Sequence, residues 1–168
     1  MSYESWPTRE ILNLDRSFKE LEKLIDGLSV SEEPEKSAAL ARFLVIRTCG
    51  FLEQMVEKSC VAYLENKSDF RSASFSRSWF GSGANPSPEK LVKLVSKFDP
   101  VWSKELDELF KNNDELLLRE ISYLVDRRNK IAHGVNENVN IRKALDLVKH
   151  ARTVAVWFTE TFKPIHAG

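Results

Sequence analysis

The stretch DRRNKIAHGVNEN, Asp126 to Asn138, puts three side chains suited to phosphate chemistry close together: Arg128, Asn129 and His133. A guanidinium stays charged at any working pH, and its planar fork of donors matches the oxygens of a phosphate. An imidazole titrates near neutrality and can take or give a proton. A carboxamide can hold the imidazole or a phosphate oxygen in place. Together the three could move a proton and hold a phosphate while its charge changes. The structural alternative is plain helix termination, because basic residues in a last turn followed by glycine are a common C-terminal signature.

Which reading applies depends on the elements that carry the residues. Leu117, Ile121, Leu124 and Val125 recur at helical spacing from Asp114 onward, and the same column arrives at Arg128. Asn129 and His133 are four apart and share a face. Arg128 and His133, five apart, diverge by about 140° around an ideal helix, so they meet only where the helix ends. Gly134 suits a left-handed stop there. His133 then occupies the last turn, where the helix dipole favours the imidazolium.

Other apolar patterns predict further helices. The first starts near SWPTRE, with Ser5 or Thr8 as cap and Pro7 in the first turn, and buries Ile11, Leu14, Phe18, Leu21, Leu24, Ile25 and Leu28. A second runs without proline from about Glu35 to Asn66, roughly 45 Å at the rise of a helix, with Ala39, Phe43, Ile46, Gly50, Met55, Val56, Cys60, Val61 and Leu64 turned inward. SDFRSASFSRSWFGSGANPSP is rich in Ser, Gly and Pro yet holds several aromatic residues, which predicts a short helix and an ordered loop. Ser87 and Pro88 open SPEKLVKLVSKF, with Leu91, Leu94, Val95 and Phe98 on its core face. Asp99 and Pro100 open another helix that ends at KNND, burying Val101, Trp102, Leu106, Leu109 and Phe110. A last one carries Ile141, Leu145, Val148, Val154, Val156, Trp157, Phe158 and Phe162 up to Pro164. No segment alternates with a two-residue period, so the fold class is all-α: a helical bundle of two long antiparallel helices with shorter flanking helices.

Composition narrows the function classes. The chain has 168 residues, suited to one domain over 1–168, and 42% are hydrophobic, enough for a sizeable core. Lys+Arg and Asp+Glu are equal at 25 each, so no global positive field gathers nucleic acid and any such site must be local. Cys49 and Cys60 lie on one helix about 16 Å apart by its rise, too far for an internal disulfide. Reduced, buried thiols and the lack of a signal-peptide pattern or a membrane-length apolar run point to a cytoplasmic protein away from the membrane. With three His and two Cys and no ligand spacing, a zinc site is not predicted; His150 and His166 have no partners at such spacing. No Gly-x-Ser-x-Gly and no phosphate-cradling glycine loop occurs, so no cofactor is expected.

Three segments in order resemble a known family. RRNKIAHG holds Arg-x4-His, Arg128 to His133, with the polar Asn129 directly after the arginine, like the defining motif of HEPN domains. LARFLVIRTCGFLEQMVEKSCVAYL resembles the long early helix of the RiboL-PSP-type HEPN group, with Gly50 and Glu53 three apart. ANPSPEKLVKLVSKF is similar to the Asn-Pro-containing helix start that follows in that group. The resemblance is strongest over residues 35–160, with residues 1–30 holding the N-terminal helix. It implies a HEPN-like bundle whose two copies form a homodimer with their motifs facing across a cleft. It also implies a metal-independent endoribonuclease acting on RNA in a toxin or antiviral defence role, with Arg128, His133 and Asn129 catalytic and an antitoxin or other regulatory protein as partner. Some HEPN toxins carry a tyrosine two residues beyond the histidine, which a nucleotidyltransferase modifies; Val135 stands there in this chain, so the resemblance does not carry that partner over.

Two residues could support the motif. Glu53 stands on the column Ile46, Gly50, Glu53, Glu57, Cys60 and could orient His133 or Arg128, or form a salt bridge at the bundle edge. Lys130 could contact phosphate or simply be exposed. Asp126 and Arg127 read as a solvated face. Two other classes stay open: a noncatalytic HEPN-like module that binds RNA or a protein through the same cleft, and a structural helical adaptor.

Overall fold

The computed structural model describes residues 5–28, 33–67, 70–80 and 85–164; His166 lies outside them. These residues form six helices and no strand: α1 (Arg9–Leu28), α2 (Pro34–Lys67), α3 (Phe70–Phe80), α4 (Pro88–Ser96), α5 (Pro100–Ala132) and α6 (Ile141–Thr161).

Caps explain most boundaries. The Thr8 hydroxyl accepts from the Ile11 N–H at 3.4 Å, so Thr8 opens α1 and Pro7 precedes the helix rather than forming its first turn. Trp6 instead anchors the entry, its indole N–H donating to the Thr159 carbonyl at 2.9 Å. Ser87 holds the N-cap position of α4, but its side chain makes no capping bond, and Pro88 at the first turn supplies the start. Asp99 caps α5 by accepting from the Val101 and Trp102 N–H groups at 2.7 and 3.4 Å, and Asn140 caps α6 by accepting from Lys143 N–H at 2.7 Å. The helical hydrogen bonding of α5 runs across a kink at KNND: Asn112 is extended, and Asn113, Asp114 and Glu115 take φ of 53°, 54° and 59°. These exposed left-handed residues turn the chain, so α5 is two helices in practice.

Four segments make the bundle, alternating in direction: α1, α2, the second half of α5, and α6. Phe18 of α1 stacks on Phe51 of α2 at 4.2 Å and Glu10 pairs with Lys58 at 2.8 Å, which sets α1 antiparallel to α2. Arg42 reaches Asn136 and Glu53 is bonded by Arg128, so α2 is likewise antiparallel to the second half of α5. The two long antiparallel helices expected from the pattern are therefore present. α6 is more central than a flanking helix, however, since it is α2's main packing partner and runs parallel to it. Along that seam Tyr63, Trp102 and Phe158 surround the ring of Phe162 at 5.2 to 5.7 Å between centroids, and Phe98 approaches it at 5.0 Å. Small residues Ala144, Ala151 and Ala155 on α6 are fully covered, which lets the two backbones approach.

The long helix α2 buries Ala41, Leu44, Val45, Thr48, Cys49, Phe51, Leu52, Met55, Val56, Ser59 and Cys60. That face is rotated from the expected one: Ala39, Phe43 and Ile46 are exposed, and Gly50, Val61 and Leu64 are half-buried. A helix with apolar residues all round gives no unique stripe, and its neighbours decide which side is covered. The same holds at helix ends and edges, where Leu24, Leu28, Val101 and Val156 are exposed although their spacing suggests core. Both cysteines are free and buried. Burial, with Glu53 nearby, pushes the Cys49 thiol up to about 12, and burial alone raises Cys60.

One ion cluster ties α1 to α6. Arg152 donates to Asp15 at 2.5 Å and to Glu22 at 3.0 Å, and its guanidinium lies 5.4 Å from the ring centres of both Phe18 and Phe51. Partial burial opposes ionisation of Asp15, but hydrogen bonds from Lys19 and Arg152 hold its carboxyl below the usual carboxylate range. Because the folded-state value lies below the unfolded one, the stabilisation is full above the unfolded value of about 3.9 and fades as pH falls through the folded value. Arg152→Ala is expected to cost about 1–2 kcal/mol at neutral pH, through lost pairing and lost cover over the two rings. Urea unfolding of parent and variant at pH 7 and pH 3 checks this, with a smaller gap at pH 3.

Candidate active site

The end of α5 is closed by a complete backbone cap. The Val135 N–H donates to the Lys130 carbonyl at 2.9 Å and the Gly134 N–H to the Ile131 carbonyl at 3.0 Å, the paired bonds of a Schellman motif. Gly134 holds φ +78°, which side chains with a Cβ adopt only at a cost. This cap fixes His133 as the last half-helical residue, with its N–H still bonded to the Asn129 carbonyl at 3.1 Å. His133 is exposed. Gly134→Ala is therefore expected to cost about 1 kcal/mol, the left-handed penalty of an ordinary residue. Thermal unfolding measures it.

Arg128 is held from two sides. Its Nη2 donates to Glu53 Oε1 of α2 at 3.2 Å, and its Nη1 donates to the amide oxygen of the adjacent Asn129 at 3.1 Å. Its side chain is 34% exposed, and these bonds use two of the five N–H donors that a guanidinium carries. Glu53 is more covered, at 18%. Burial raises its carboxyl from the usual range, and the charge of Arg128 opposes that rise. The Cys49 thiol lies 4.0 Å from the same Oε1. Glu53 is thus a positioning contact for Arg128; no bond joins Glu53 to His133.

The structure sets the other basic residues of the motif differently. Lys130 pairs with Asp126 at 2.9 Å and approaches Glu137 at 3.8 Å, so its ammonium is already compensated. Arg127 is not on a solvated face: it forms an ion pair with the buried Glu137 and lies over the Tyr123 ring at 4.6 Å. Glu137 is the residue that spacing does not reveal. Sitting in the loop after the motif, it folds that loop back over α5, while Asn136 accepts from Arg42 of α2 at 3.3 Å. The signal available in the sequence is only an acidic residue in a loop near three basic ones.

Arg128, Asn129 and Glu53 are therefore brought together by direct bonds, and His133 lies farther along the same helix, about 7.5 Å by helical rise from Arg128. A fixed guanidinium with spare donors can bind a phosphate, and a solvent-accessible imidazole nearby can exchange protons with a bound ligand. A wider depression of about 890 Å³, lined by Asp26, Ser37, Asn140 and Lys149 among others, contains none of these residues. Size alone does not make it the site: its lining holds no histidine, and its Lys149 is paired with Asp146 at 3.1 Å. Among the described residues no helix is long and apolar enough to cross a membrane.

The family model for RiboL-PSP-HEPN matches residues 12–162. No curated protein and no solved structure gives a match.

Proposed function

The chain belongs to the RiboL-PSP-HEPN family, and from that premise we propose that it is an endoribonuclease cleaving single-stranded RNA in the cytoplasm, without a metal, at a site shared by two copies. One observation carries the reading: Arg128 is held by Glu53 and Asn129 while keeping free donors, on the same helix end as an exposed His133. Arg128 would bind the scissile phosphate and take up charge as the phosphorane forms. An imidazole would remove the proton of the 2′-OH as its oxygen attacks phosphorus. The bond to the 5′-oxygen then breaks, and a second proton donor supplies that oxygen. The products are a 2′,3′-cyclic phosphate and a 5′-OH.

Each chain brings one histidine to this site, so the acid and base would come from His133 of two copies around a twofold axis. Phe43 and Ile46 of α2 support this arrangement. They are 46% and 40% exposed, on the stripe Phe43, Ile46, Gly50, Glu53 that leads to Arg128. A Cβ at Gly50 would meet nothing within 4 Å, so a partner helix has room to approach there. We assign the toxin or defence role, and an antitoxin or other regulatory partner, to the same reading, since an unregulated ribonuclease would injure its own cell. A noncatalytic RNA- or protein-binding module is the second reading, favoured by the single fact that no bond links His133 to Arg128, Asn129's side chain or Glu53.

The test is direct. Purified protein is incubated with end-labelled single-stranded RNA in the presence of EDTA, and the product ends are identified. Fragments with a cyclic phosphate are the expected result; binding without fragments would favour the module.

A further inference from the structure

Glu53 also lines a groove of about 220 Å³ that the chemistry above does not use. Its walls come from α2, the end of α3 and the face of α4: Glu53 and Glu57, Trp79 and Phe80, Asn85, and the lysines Lys90, Lys93 and Lys97. The three lysines fall within an arc of about 60° on an ideal helix, one row along α4 and its cap. All three are exposed, and among the described residues none has a carboxylate partner. In a chain of zero net charge this is a local excess of cation. Trp79 is 57% exposed, with the Lys97 ammonium 5.5 Å from its ring centre and Phe75 at 6.0 Å between centroids. An aromatic face flanked by lysines is the arrangement that stacks a base while its phosphate is neutralised.

We propose that this groove is a subsite for an unpaired nucleotide of RNA next to the one cut, a reading that rests on the ribonuclease proposal and extends it. The base stacks on Trp79. The flanking phosphates follow the lysine row, and the carboxylates of Glu53 and Glu57 keep them to that outer edge. Glu53 joins the two regions, since it lines the groove and bonds Arg128. A duplex cannot use the subsite, because its bases are paired and stacked away from the protein.

Binding is measured in a His133→Ala background, by fluorescence anisotropy of a labelled single-stranded oligoribonucleotide of about 12 nucleotides, a length in the range of single-strand sites. Trp79→Ala should weaken binding about tenfold, in line with the loss of one stacked base. The double reversal Lys93→Glu with Lys97→Glu, on a different element, should weaken it at least as much and flatten its salt dependence. The matching duplex should bind poorly in every protein. If both variants bind within about twofold of the background protein, less than one stacked base contributes, the subsite is wrong while the ribonuclease reading stands. If the parent neither binds nor cleaves the RNA, both fall together. Equal loss of duplex and single-strand binding would also overturn the subsite, because it would mark a contact blind to bases.

Discussion

His133→Ala is expected to lower RNA cleavage by about 10²–10⁴-fold, the usual contribution of a positioned general acid or base. The fold should be untouched, because the imidazole is exposed and makes no side-chain bond among the described residues, and its place is set by backbone bonds to Asn129 and the Gly134 cap. Initial rates on labelled RNA, with thermal unfolding as a control, give the answer. A cleavage rate equal to the parent's would remove His133 from the chemistry. Arg128→Lys adds a sharper comparison. It keeps a positive charge near Glu53 but replaces a flat fork by a single ammonium, so cleavage should fall strongly even though the charge is conserved.

Loss of the twofold contact should be as severe as loss of the histidine. Phe43→Glu with Ile46→Glu places two like charges on each side of the proposed symmetric interface, so they meet their own copies across the axis. The expected result is a monomer by light scattering and a fall in cleavage of about 10² or more, the share of one missing acid or base. Both positions are exposed, so the helix and core should survive the change. A variant that stays fully active as a monomer would show that one chain contains a sufficient site. Mixing parent with excess His133→Ala protein offers a complementary check, because the heterodimer keeps only one of the two histidines and should cleave slowly.

The difference between what spacing shows and what it conceals is clearest along α5. The helix break at KNND, the cap at Asp99 and the left-handed Gly134 are all legible, since each follows from the conformational limits of a few adjacent residues. Arg127 and Glu137 are not. Their ion pair crosses a loop, and a charged residue in a helix looks solvated until a partner folds over it. α2 shows the same limit on a larger scale: its length is readable, but its inward face is not, because Phe43 and Ile46 could serve a core as well as Leu44 and Val45 do. Glu53 sits between these cases. Its column marks it as a carboxylate among apolar residues, leaving open whether Arg128 or a surface cation would receive it, and the antiparallel approach of α5 decides for Arg128.

The sequence by itself determined the all-α class, the helix boundaries within a few residues, and that Arg128, Asn129 and His133 share one helix end, because periodicity, caps and a short motif are properties of neighbours in the chain. Only the tertiary structure decided which acid holds Arg128, that Lys130 is spent on Asp126 and Glu137, and that a lysine and tryptophan groove adjoins Glu53. Those facts join residues up to 75 positions apart. Such pairings depend on how whole helices pack, and packing is chosen by the total burial of many side chains rather than by any local rule.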